Sequence, residues 1–352
     1  MGIISKVKPD RNQIKLSDLP SPPLGKTGWP WTEESPQLPD TMPDGVPWPR
    51  ISVVTPSYNQ GRFIEETIRS VLLQGYPNLE YIIMDGGSTD NSVEVIRKYE
   101  PWLAYWVSER DRGQSHAINK GWCRSTGEIT AYLNSDDILQ PNALHLVAEL
   151  FKNHPDKSVV YGDCDLVDGN TRLLRRLQSQ PYNHAQLMLA DYIHQSSAFV
   201  LRSALEKIGF LDESLHMSMD YDCWVRLALA GHEMLYVSVA LSSARLVVGT
   251  KTQAQGIKFL PDAIRILNRV YTSPDVPDDI KKVRKSAYGN VWRLGGIRYF
   301  DVGMRRESIV AMLRSLRSDP FAGWKPMILS LLIILQSLVS VHWWSPHTID
   351  KG

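Results

Sequence analysis

The residues of this chain best suited to chemistry are carboxylates and amides that follow short apolar runs. The tetrapeptide Asn134-Ser135-Asp136-Asp137 comes directly after the apolar segment 129–133. Carboxylates at the end of a strand can hold a hard divalent cation, and a diphosphate needs such a cation. An acidic pair before a proline-started helix is also typical of a solvated cap. Both interpretations are open from the tetrapeptide alone.

Strand geometry refines the metal interpretation. Side chains alternate between the two faces of a strand, so Asn134 and Asp136 would project the same way and Ser135 the opposite way. One site would then receive an amide oxygen and a carboxylate. Mg²⁺ or Mn²⁺ would bind there with few protein ligands and complete its shell with phosphate oxygens.

Two earlier strand ends carry candidate nucleotide contacts. Pro56 stops the first strand, and Tyr58 would then lie at the rim, where its ring can stack on a base. Asp85 precedes Gly86-Gly87, so a ligand can approach the backbone while the carboxylate accepts from a base or ribose donor. The alternatives are a simple strand-to-helix turn and an N-capping cluster.

A fourth candidate opens a helix further along the chain. Asp220 lies in the first turn of a segment whose apolar residues recur at helical spacing. A carboxylate there can act as a general base, and it also suits the positive end of a helix dipole. The predicted buried face consists of Tyr221, Trp224, Val225 and Ala228.

The elements that must position these residues alternate between strand and helix from 51 to about 245. This alternation predicts an α/β fold with a mostly parallel central sheet and helices on both faces. Ligands of such sheets bind at the carboxyl ends of the strands, where the polar motifs lie. The predicted strands are 51–55, 79–84, 104–107 and 129–133, and the predicted helical faces are Ile64/Ile68/Val71/Leu72, Val93/Ile96, Ala117/Ile118/Gly121/Trp122 and, after Pro141, Leu144/Val147/Ala148/Phe151.

Composition excludes several classes of protein. The 352 residues are 43% hydrophobic and carry a formal net charge of +1, so a sizeable core is expected and a nucleic-acid partner is not. The three cysteines are widely spaced, which indicates reduced thiols in a cytoplasmic protein. Residues 1–16 lack an apolar segment, so we expect no signal peptide.

Residues 1–50 differ in composition from the rest of the chain. They contain ten of the 22 prolines, which excludes a regular helix or a central strand. Trp29, Trp31 and Trp48 favour an extended arm fixed on a folded surface, because disordered tails are poor in aromatic residues. We therefore predict an N-terminal arm at 1–50, a catalytic domain at 51–250 and a helical region at 251–352.

The C-terminal region is basic and ends in an apolar segment. Residues 281–325 hold 11 Lys and Arg against three acidic residues, a local excess of +8. Within the segment 326–344, the apolar run 327–341 has 15 residues, fewer than the roughly 20 of a spanning helix. It is followed by Trp343-Trp344, which a membrane interface favours. Interfacial attachment is our prediction, with a buried terminal helix and a true span as alternatives.

Six motifs in fixed order resemble those of the family 2 inverting glycosyltransferases, which have the nucleotide-diphospho-sugar transferase fold. Each motif is weak alone, but the ordered set, which covers about residues 50–245, is specific. The similarity is greatest to bacterial members that serve polysaccharide and cell-surface glycan synthesis. The motifs are Thr-Pro-Ser-Tyr-Asn (55–59), Asp-Gly-Gly-Ser-Thr-Asp (85–90), Ala-Ile-Asn-Lys-Gly (117–121), Gly-Glu-Ile (127–129), Asn-Ser-Asp-Asp (134–137) and Met-Asp-Tyr-Asp-Cys-Trp-Val-Arg (219–226).

The resemblance implies a role for each motif. Asp220 would deprotonate an acceptor hydroxyl, which displaces the nucleoside diphosphate from the anomeric carbon with inversion. Asp136, assisted by Asp137, would bind Mn²⁺ or Mg²⁺ at the donor diphosphate. The implied partners are a nucleotide-diphospho-sugar and a glycan or lipid-linked acceptor at the inner face of the cell membrane. The implied donor-binding residues are Thr55, Pro56, Tyr58, Asp85, Asn134 and Asp136.

The chain departs from the family pattern at several positions. Asn134 stands where Asp is common, and Met219 stands where Glu usually precedes the base. A histidine that ligates the metal in some members has no clear match near Arg245. The segment 192–197 would face the acceptor or the donor phosphate, with His194 either structural or in contact.

Two other functions compete with glycosyl transfer. A sugar nucleotidyltransferase would need a basic, glycine-rich loop at the first strand end, and 55–61 contains no Lys or Arg. A catalytically silent, sugar-nucleotide-binding assembly subunit would not need both Asp136 and Asp220.

Overall fold

The computed structural model describes residues 3–5, 14–247, 256–320 and 323–339. Trp343 and Trp344, on which the interfacial prediction partly rests, lie outside the described residues. The chain divides into two compact units. The first unit comprises residues 1–182, 192–213 and 226–247, and the second comprises 183–191, 214–225 and 248–352. The three boundaries set from composition stay a prediction.

The first unit is built on one ten-stranded sheet with the order β1-β4-β3-β2-β5-β9-β7-β10-β6, and β8 pairs with β7 outside this path. The four adjacent strands β4, β3, β2 and β5 are parallel, as are β7 and β10, and antiparallel pairs connect the rest. The predicted α/β class is confirmed, with antiparallel strands added. The strands are β1 Ile3–Ser5, β2 Ile51–Ser57, β3 Leu79–Asp85, β4 Tyr105–Ser108, β5 Ile129–Tyr132, β6 Ile138–Leu139, β7 Lys157–Val167, β8 Leu173–Leu177, β9 Ala198–Leu201 and β10 Glu233–Arg245.

Helices pack on both faces of the central strands, as predicted. Val53 and Ile83 belong to a buried cluster that includes Ile64 of the first helix. On the other face, a Cβ atom on Gly121 of the third helix would come within 2.4 Å of Val54. A glycine is needed there because helix and strand approach so closely. The helices up to residue 229 are α1 Ile64–Leu72, α2 Ser92–Tyr99, α3 Gln114–Arg124, α4 Ala143–Asn153, α5 His184–Leu189, α6 Arg202–Ile208 and α7 Met219–Leu229.

Residues 19–50, which precede β2, pack on the first unit without a helix or a strand. Arg69 of α1 is fully buried and donates to the carbonyl oxygens of Pro20, Pro30 and Trp31 at 2.9–3.0 Å. Trp48 is also buried, and its indole N–H donates to the Pro39 carbonyl at 2.8 Å. A segment that cannot pair in a sheet thus has its carbonyl groups satisfied by a buried guanidinium.

The second unit is helical. Its long helices α10 and α11 approach closely, since the Ser315 hydroxyl donates to the Gly289 carbonyl at 2.7 Å and the Ser308 hydroxyl to the Gly296 carbonyl at 2.8 Å. No helix among the described residues is long and apolar enough to cross a membrane. The helices after residue 255 are α8 Phe259–Thr272, α9 Asp278–Lys282, α10 Arg284–Asp301, α11 Arg305–Ser318 and α12 Trp324–Val339.

Candidate functional site

The end of β2 presents an exposed aromatic ring. Contrary to the expectation that Pro56 stops the strand, β2 continues through it to Ser57, because both residues keep their register with β3. Thr55 and Pro56 are buried, and the Thr55 hydroxyl lies 3.0 Å from the Tyr81 hydroxyl. Tyr58, three residues on, is 62% exposed. Its ring lies beside Gly86, where a Cβ atom would come within 3.4 Å of the Tyr58 Cδ2 atom. The structure therefore places an accessible aromatic face at the position predicted for base stacking.

The backbone after β2 is fixed by the loop after β3. Asn59 adopts a left-handed conformation with φ of 53°. Its N–H donates to the Ser88 hydroxyl at 2.8 Å, and its side-chain oxygen accepts from the Thr89 N–H at 2.8 Å. The Gly61 N–H donates to Asp90 at 2.9 Å. These bonds hold Tyr58 in place, because the neighbouring backbone is tied to the loop after β3.

Asp85 lies at the end of β3 and is 2% exposed. Its Oδ2 atom accepts from the N–H groups of Gly87 and Ser88 and from the Ser108 hydroxyl, at 2.6–3.1 Å. Its Oδ1 atom accepts from the Ser88 hydroxyl at 2.6 Å. A carboxylate oxygen has two lone pairs, so Oδ1 retains acceptor capacity. Asp85 thus joins the ends of β3 and β4 before any ligand is considered.

The Asn-Ser-Asp-Asp motif forms a turn and does not continue the strand. β5 ends at Tyr132, and the Asp137 N–H donates to the Asn134 carbonyl at 3.0 Å. Strand alternation therefore does not relate Asn134 to Asp136, contrary to the expectation from sequence. The amide of Asn134 is engaged on both sides: it accepts from Gln114 at 2.6 Å and donates to Asp137 at 3.1 Å.

The two carboxyl groups of this turn differ in accessibility. Asp137 is buried, and its oxygens accept from the Arg245 N–H at 3.2 Å and from Asn134. Asp136 is only partly buried. Burial raises the pKa of both carboxyl groups, and for Asp137 the adjacent Asp136 charge raises the pKa further. Asp136 is thus the more available ligand of the predicted pair.

The carboxyl groups of Asp136 and Asp137 fit a divalent cation that takes most of its ligands from phosphate oxygens. No group of three or more His, Cys, Asp or Glu side chains that could hold a metal ion occurs in the described part of the chain. Two adjacent carboxyl groups whose charged forms are disfavoured by burial would be stabilised by a cation. Mg²⁺ characteristically uses one or two carboxylates together with phosphate oxygens.

Arg245 holds the acidic turn in place, a role that the sequence did not reveal. Its Nε donates to the Asp136 carbonyl and its Nη2 to Glu66, both at 3.0 Å. Both side chains of the Arg245–Glu66 ion pair are almost fully buried. The guanidinium also lies 4.7 Å from the Phe63 ring centroid. β10 is thereby fastened to α1 and to the turn at once.

The segment 192–197 contacts the turn through Gln195. This side chain accepts from Asn134 at 3.1 Å and donates to the Tyr132 carbonyl at 2.6 Å. His194 is partly buried, and its Nε2 atom has no hydrogen-bond partner among the described residues. Burial lowers the pKa of His194. Gln195 is therefore the residue of this segment that touches the motif.

Asp220 begins α7, in a part of that helix that belongs to the second unit. Its side chain is partly buried, and its Oδ1 atom accepts from the Tyr221 N–H at 2.9 Å. Asp222 is fully buried and forms an ion pair with Arg269 of α8. The predicted buried face of α7 is confirmed at Tyr221, Trp224, Val225 and Ala228.

Solved structures identify the class of fold. TarS 1–349 of S. aureus, solved in complex with UDP-GlcNAc, aligns with 84% of this chain and 93% of that chain at a TM-score of 0.53 and 16% identity. A mannosyltransferase from Pyrobaculum calidifontis, solved with GDP-Man and Mn²⁺, aligns with 91% and 92% at a TM-score of 0.55 and 18% identity. The chain has the nucleotide-diphospho-sugar transferase fold, as predicted.

Sequence comparison identifies the family of one segment of the chain. Residues 52–209 match the family described as Glycosyl transferase family 2, so this segment is a domain of that family. An uncharacterized glycosyltransferase of Nostoc sp. is 34% identical over 134 residues, which are 37% of this chain and 41% of the relative. Chondroitin synthase of Escherichia coli is 28% identical over 187 residues, 52% and 27% of the two chains. The chain thus spans less than half the length of these relatives.

Proposed function

We propose that this chain is a metal-dependent, inverting hexosyltransferase that uses a nucleotide-diphospho-sugar donor. The observation that carries the proposal is the arrangement of three adjacent strand ends. β2 pairs with β3 on one side and β5 on the other, so Tyr58, Asp85 and Asp136 follow strands that are direct neighbours. An exposed ring, a buried acceptor and an accessible carboxylate are the groups that a base, a ribose and a metal-bound diphosphate require.

In the proposed mechanism the first unit binds the donor. Tyr58 stacks on the base, and Asp85 accepts a hydrogen bond from the nucleoside. Asp136, assisted by Asp137, would hold Mn²⁺ or Mg²⁺, and the cation would supply positive charge against the leaving diphosphate. Arg245, Asn134 and Gln195 keep the turn in one conformation, so little ordering is needed when the donor binds.

Asp220 is proposed as the general base. It takes the proton of an acceptor hydroxyl while that oxygen bonds to the anomeric carbon and the bond to the diphosphate breaks. Attack from the face opposite the leaving group inverts the configuration. The proton ends on the Asp220 carboxyl group, and the electron pair of the broken bond leaves with the nucleoside diphosphate.

We further propose a glycan or lipid-linked acceptor and a peripheral location at the inner face of a bacterial cell membrane. The bacterial relatives, among them chondroitin synthase, support polysaccharide or cell-surface glycan synthesis. The basic segment 281–325 supports a position close to anionic lipid.

The donor proposal is tested by ligand-dependent stability. We expect one of UDP-, GDP- or dTDP-sugars to raise the melting temperature in the presence of Mn²⁺, since a ligand at a hundred times its Kd stabilises by about 2.7 kcal/mol. Asp136→Asn should abolish the Mn²⁺-dependent part of the shift. Asp156→Asn, which changes an exposed carboxylate, is the matched control and should leave the shift intact.

Two results would contradict the proposal. One is a wild-type protein that no sugar nucleotide stabilises with Mn²⁺. The other is an Asp136→Asn protein whose Mn²⁺-dependent shift equals that of the wild type. Donor hydrolysis with Mn²⁺ would exclude the catalytically silent subunit, and synthesis of a sugar nucleotide from a triphosphate would favour the nucleotidyltransferase.

A further inference from the structure

α12 carries a continuous apolar stripe on its outer side. Five large side chains along it are each at least 41% exposed. Their spacing is i, i+1, i+4, i+5 and i+8, which places all of them on one face of a helix. A contiguous exposed apolar surface of this kind marks an interaction site more often than a scattered residue does. The five are Met327, Ile328, Leu331, Leu332 and Leu335.

The inner side of the same helix is partly polar. Ser330, Gln336 and Ser337 are buried alongside Ile333. The two serine hydroxyls and the Gln336 Oε1 atom have no hydrogen-bond partner among the described residues. A helix on the surface of a water-soluble protein has the opposite pattern, with polar residues outward and apolar residues inward. α12 departs from this pattern, because large apolar side chains lie on its outer side as well as against Phe300 and Met312, and three polar side chains are buried.

Large apolar side chains on the outer side of a helix are expected where the outer medium is lipid. Helices in lipid pack through small residues and turn their large apolar side chains outward. The neighbouring helices α10 and α11 pack in the same manner, through Gly289 with Ser315 and Gly296 with Ser308. The outer face of α12 thus matches an apolar surrounding on that side, and the neighbouring pair of helices shares the packing through small residues.

The length of α12 and the charge near it indicate whether the helix would span a bilayer or lie along its surface. α12 has 16 residues and is about 24 Å long at 1.5 Å per residue, shorter than the roughly 30 Å hydrocarbon core. It contains no acidic residue, and the segment 281–325 that leads into it carries the excess of +8. An interfacial helix preceded by basic residues complements an anionic lipid surface.

We propose that the outer face of α12 docks on an anionic bilayer, lying along the surface with the five apolar side chains among the lipid chains. The occupant of this face is the bilayer itself. The proposal gives the suggested membrane location a defined contact surface, and it stands independently of the reaction. Failure of glycosyl transfer would leave it intact, because its measurement requires no donor or acceptor.

The test is binding of the full chain to vesicles. Wild-type protein should co-sediment with phosphatidylcholine vesicles enriched in phosphatidylglycerol, and less with pure phosphatidylcholine. Leu331→Gln/Leu335→Gln should lower the partition coefficient at least about tenfold, because two side chains lose their transfer from water. The matched control is Leu173→Gln/Leu174→Gln in β8, whose leucines are 63% and 52% exposed against 51% and 59% in α12.

A second measurement reports contact directly. In a Cys123→Ser background, an environment-sensitive fluorophore on Leu331→Cys should shift to the blue on addition of anionic vesicles. The same fluorophore on Leu173→Cys should not shift. Circular dichroism and the melting temperature verify that each variant is folded, so loss of binding is not mistaken for loss of structure.

Three outcomes would overturn the proposal. The first is wild-type protein that stays in the supernatant with anionic vesicles. The second is an α12 variant that binds as well as the wild type does. The third is a concentration-dependent dimer of the wild type that Leu331→Gln/Leu335→Gln dissociates without any vesicle binding in either protein, which would assign the face to a second copy of the chain.

Discussion

The strand ends of the first unit and α12 of the second unit treat polar and apolar side chains in opposite ways. In the first unit the apolar residues are inside the sheet and its helices, and polar atoms at the strand ends are tied to one another, as around Asp85. In the second unit α12 exposes its large apolar residues, and buries hydroxyl groups that have no partner among the described residues. The strand ends thus satisfy their polar groups internally, whereas α12 presents the apolar face for which we propose contact with a bilayer.

The largest effect that would test this division is on catalysis. Asp220→Asn in the second unit should lower glycosyl transfer by about 10²–10⁴-fold, because it removes the proposed general base. Mn²⁺-dependent stabilisation by the donor, assigned to the first unit, should be unchanged. The exposed Asp275→Asn in the second unit is the control and should transfer normally. Loss of donor binding in Asp220→Asn would remove the proposed separation of roles.

The next effect is on the stability of the first unit. Arg245→Met leaves Glu66 buried without its cation and should cost about 3–5 kcal/mol in urea unfolding. It should also weaken donor binding with Mn²⁺, since the acidic turn loses its anchor. Asp44→Asn breaks an exposed ion pair with Lys152 and should leave the free energy of unfolding nearly unchanged. Equal losses of unfolding free energy in the two variants would show that Arg245 does not hold the acidic turn in place.

A smaller effect concerns the folding stability at acidic pH. Burial lowers the pKa of His194, so below about pH 6.5 the unfolded chain binds a proton that the folded chain excludes. The destabilisation is absent above that pH and grows as the pH falls through it. His194→Gln should therefore flatten the decline of stability below pH 6.5.

The smallest effect compares two buried serines. Ser330→Ala removes a hydroxyl without a described partner, so the melting temperature should stay constant or rise. Ser197→Ala in the first unit leaves the Asp163 carbonyl and the Ser242 hydroxyl without their contact at 2.6 Å, and should cost about 1–3 kcal/mol. If Ser330→Ala proved as costly as Ser197→Ala, the contrast between the units would fail.

Local patterns in the sequence predict much of the fold. The strands at 51, 79, 105 and 129 and the buried faces of α1, α3, α4 and α7 follow from apolar runs and helical spacing. The acidic motif is predicted at the correct strand end, that of β5, but its turn is not. Side chains alternate between the two faces only while the backbone stays extended, and the extended backbone of β5 ends at Tyr132.

Interactions between distant residues escape prediction for a physical reason. Glu66 and Arg245 are separated by 179 residues, and neither lies in a periodic pattern that marks it as one half of a pair. Asp85 is predicted as a ligand contact, yet four protein donors already converge on it. Sequence shows which groups can accept a hydrogen bond, but the tertiary fold decides which donors reach them.

The two serine–glycine contacts between α10 and α11 constrain how this protein can change. Gly289 and Gly296 are seven residues apart, and so are Ser308 and Ser315. An insertion between the two glycines or between the two serines would rotate one of the two contacts by about 100° per inserted residue while the other stayed in place. Lengthening the connection at 302–304 would disturb neither. We therefore expect related chains to vary in length at that connection and to keep the distance between the paired positions fixed.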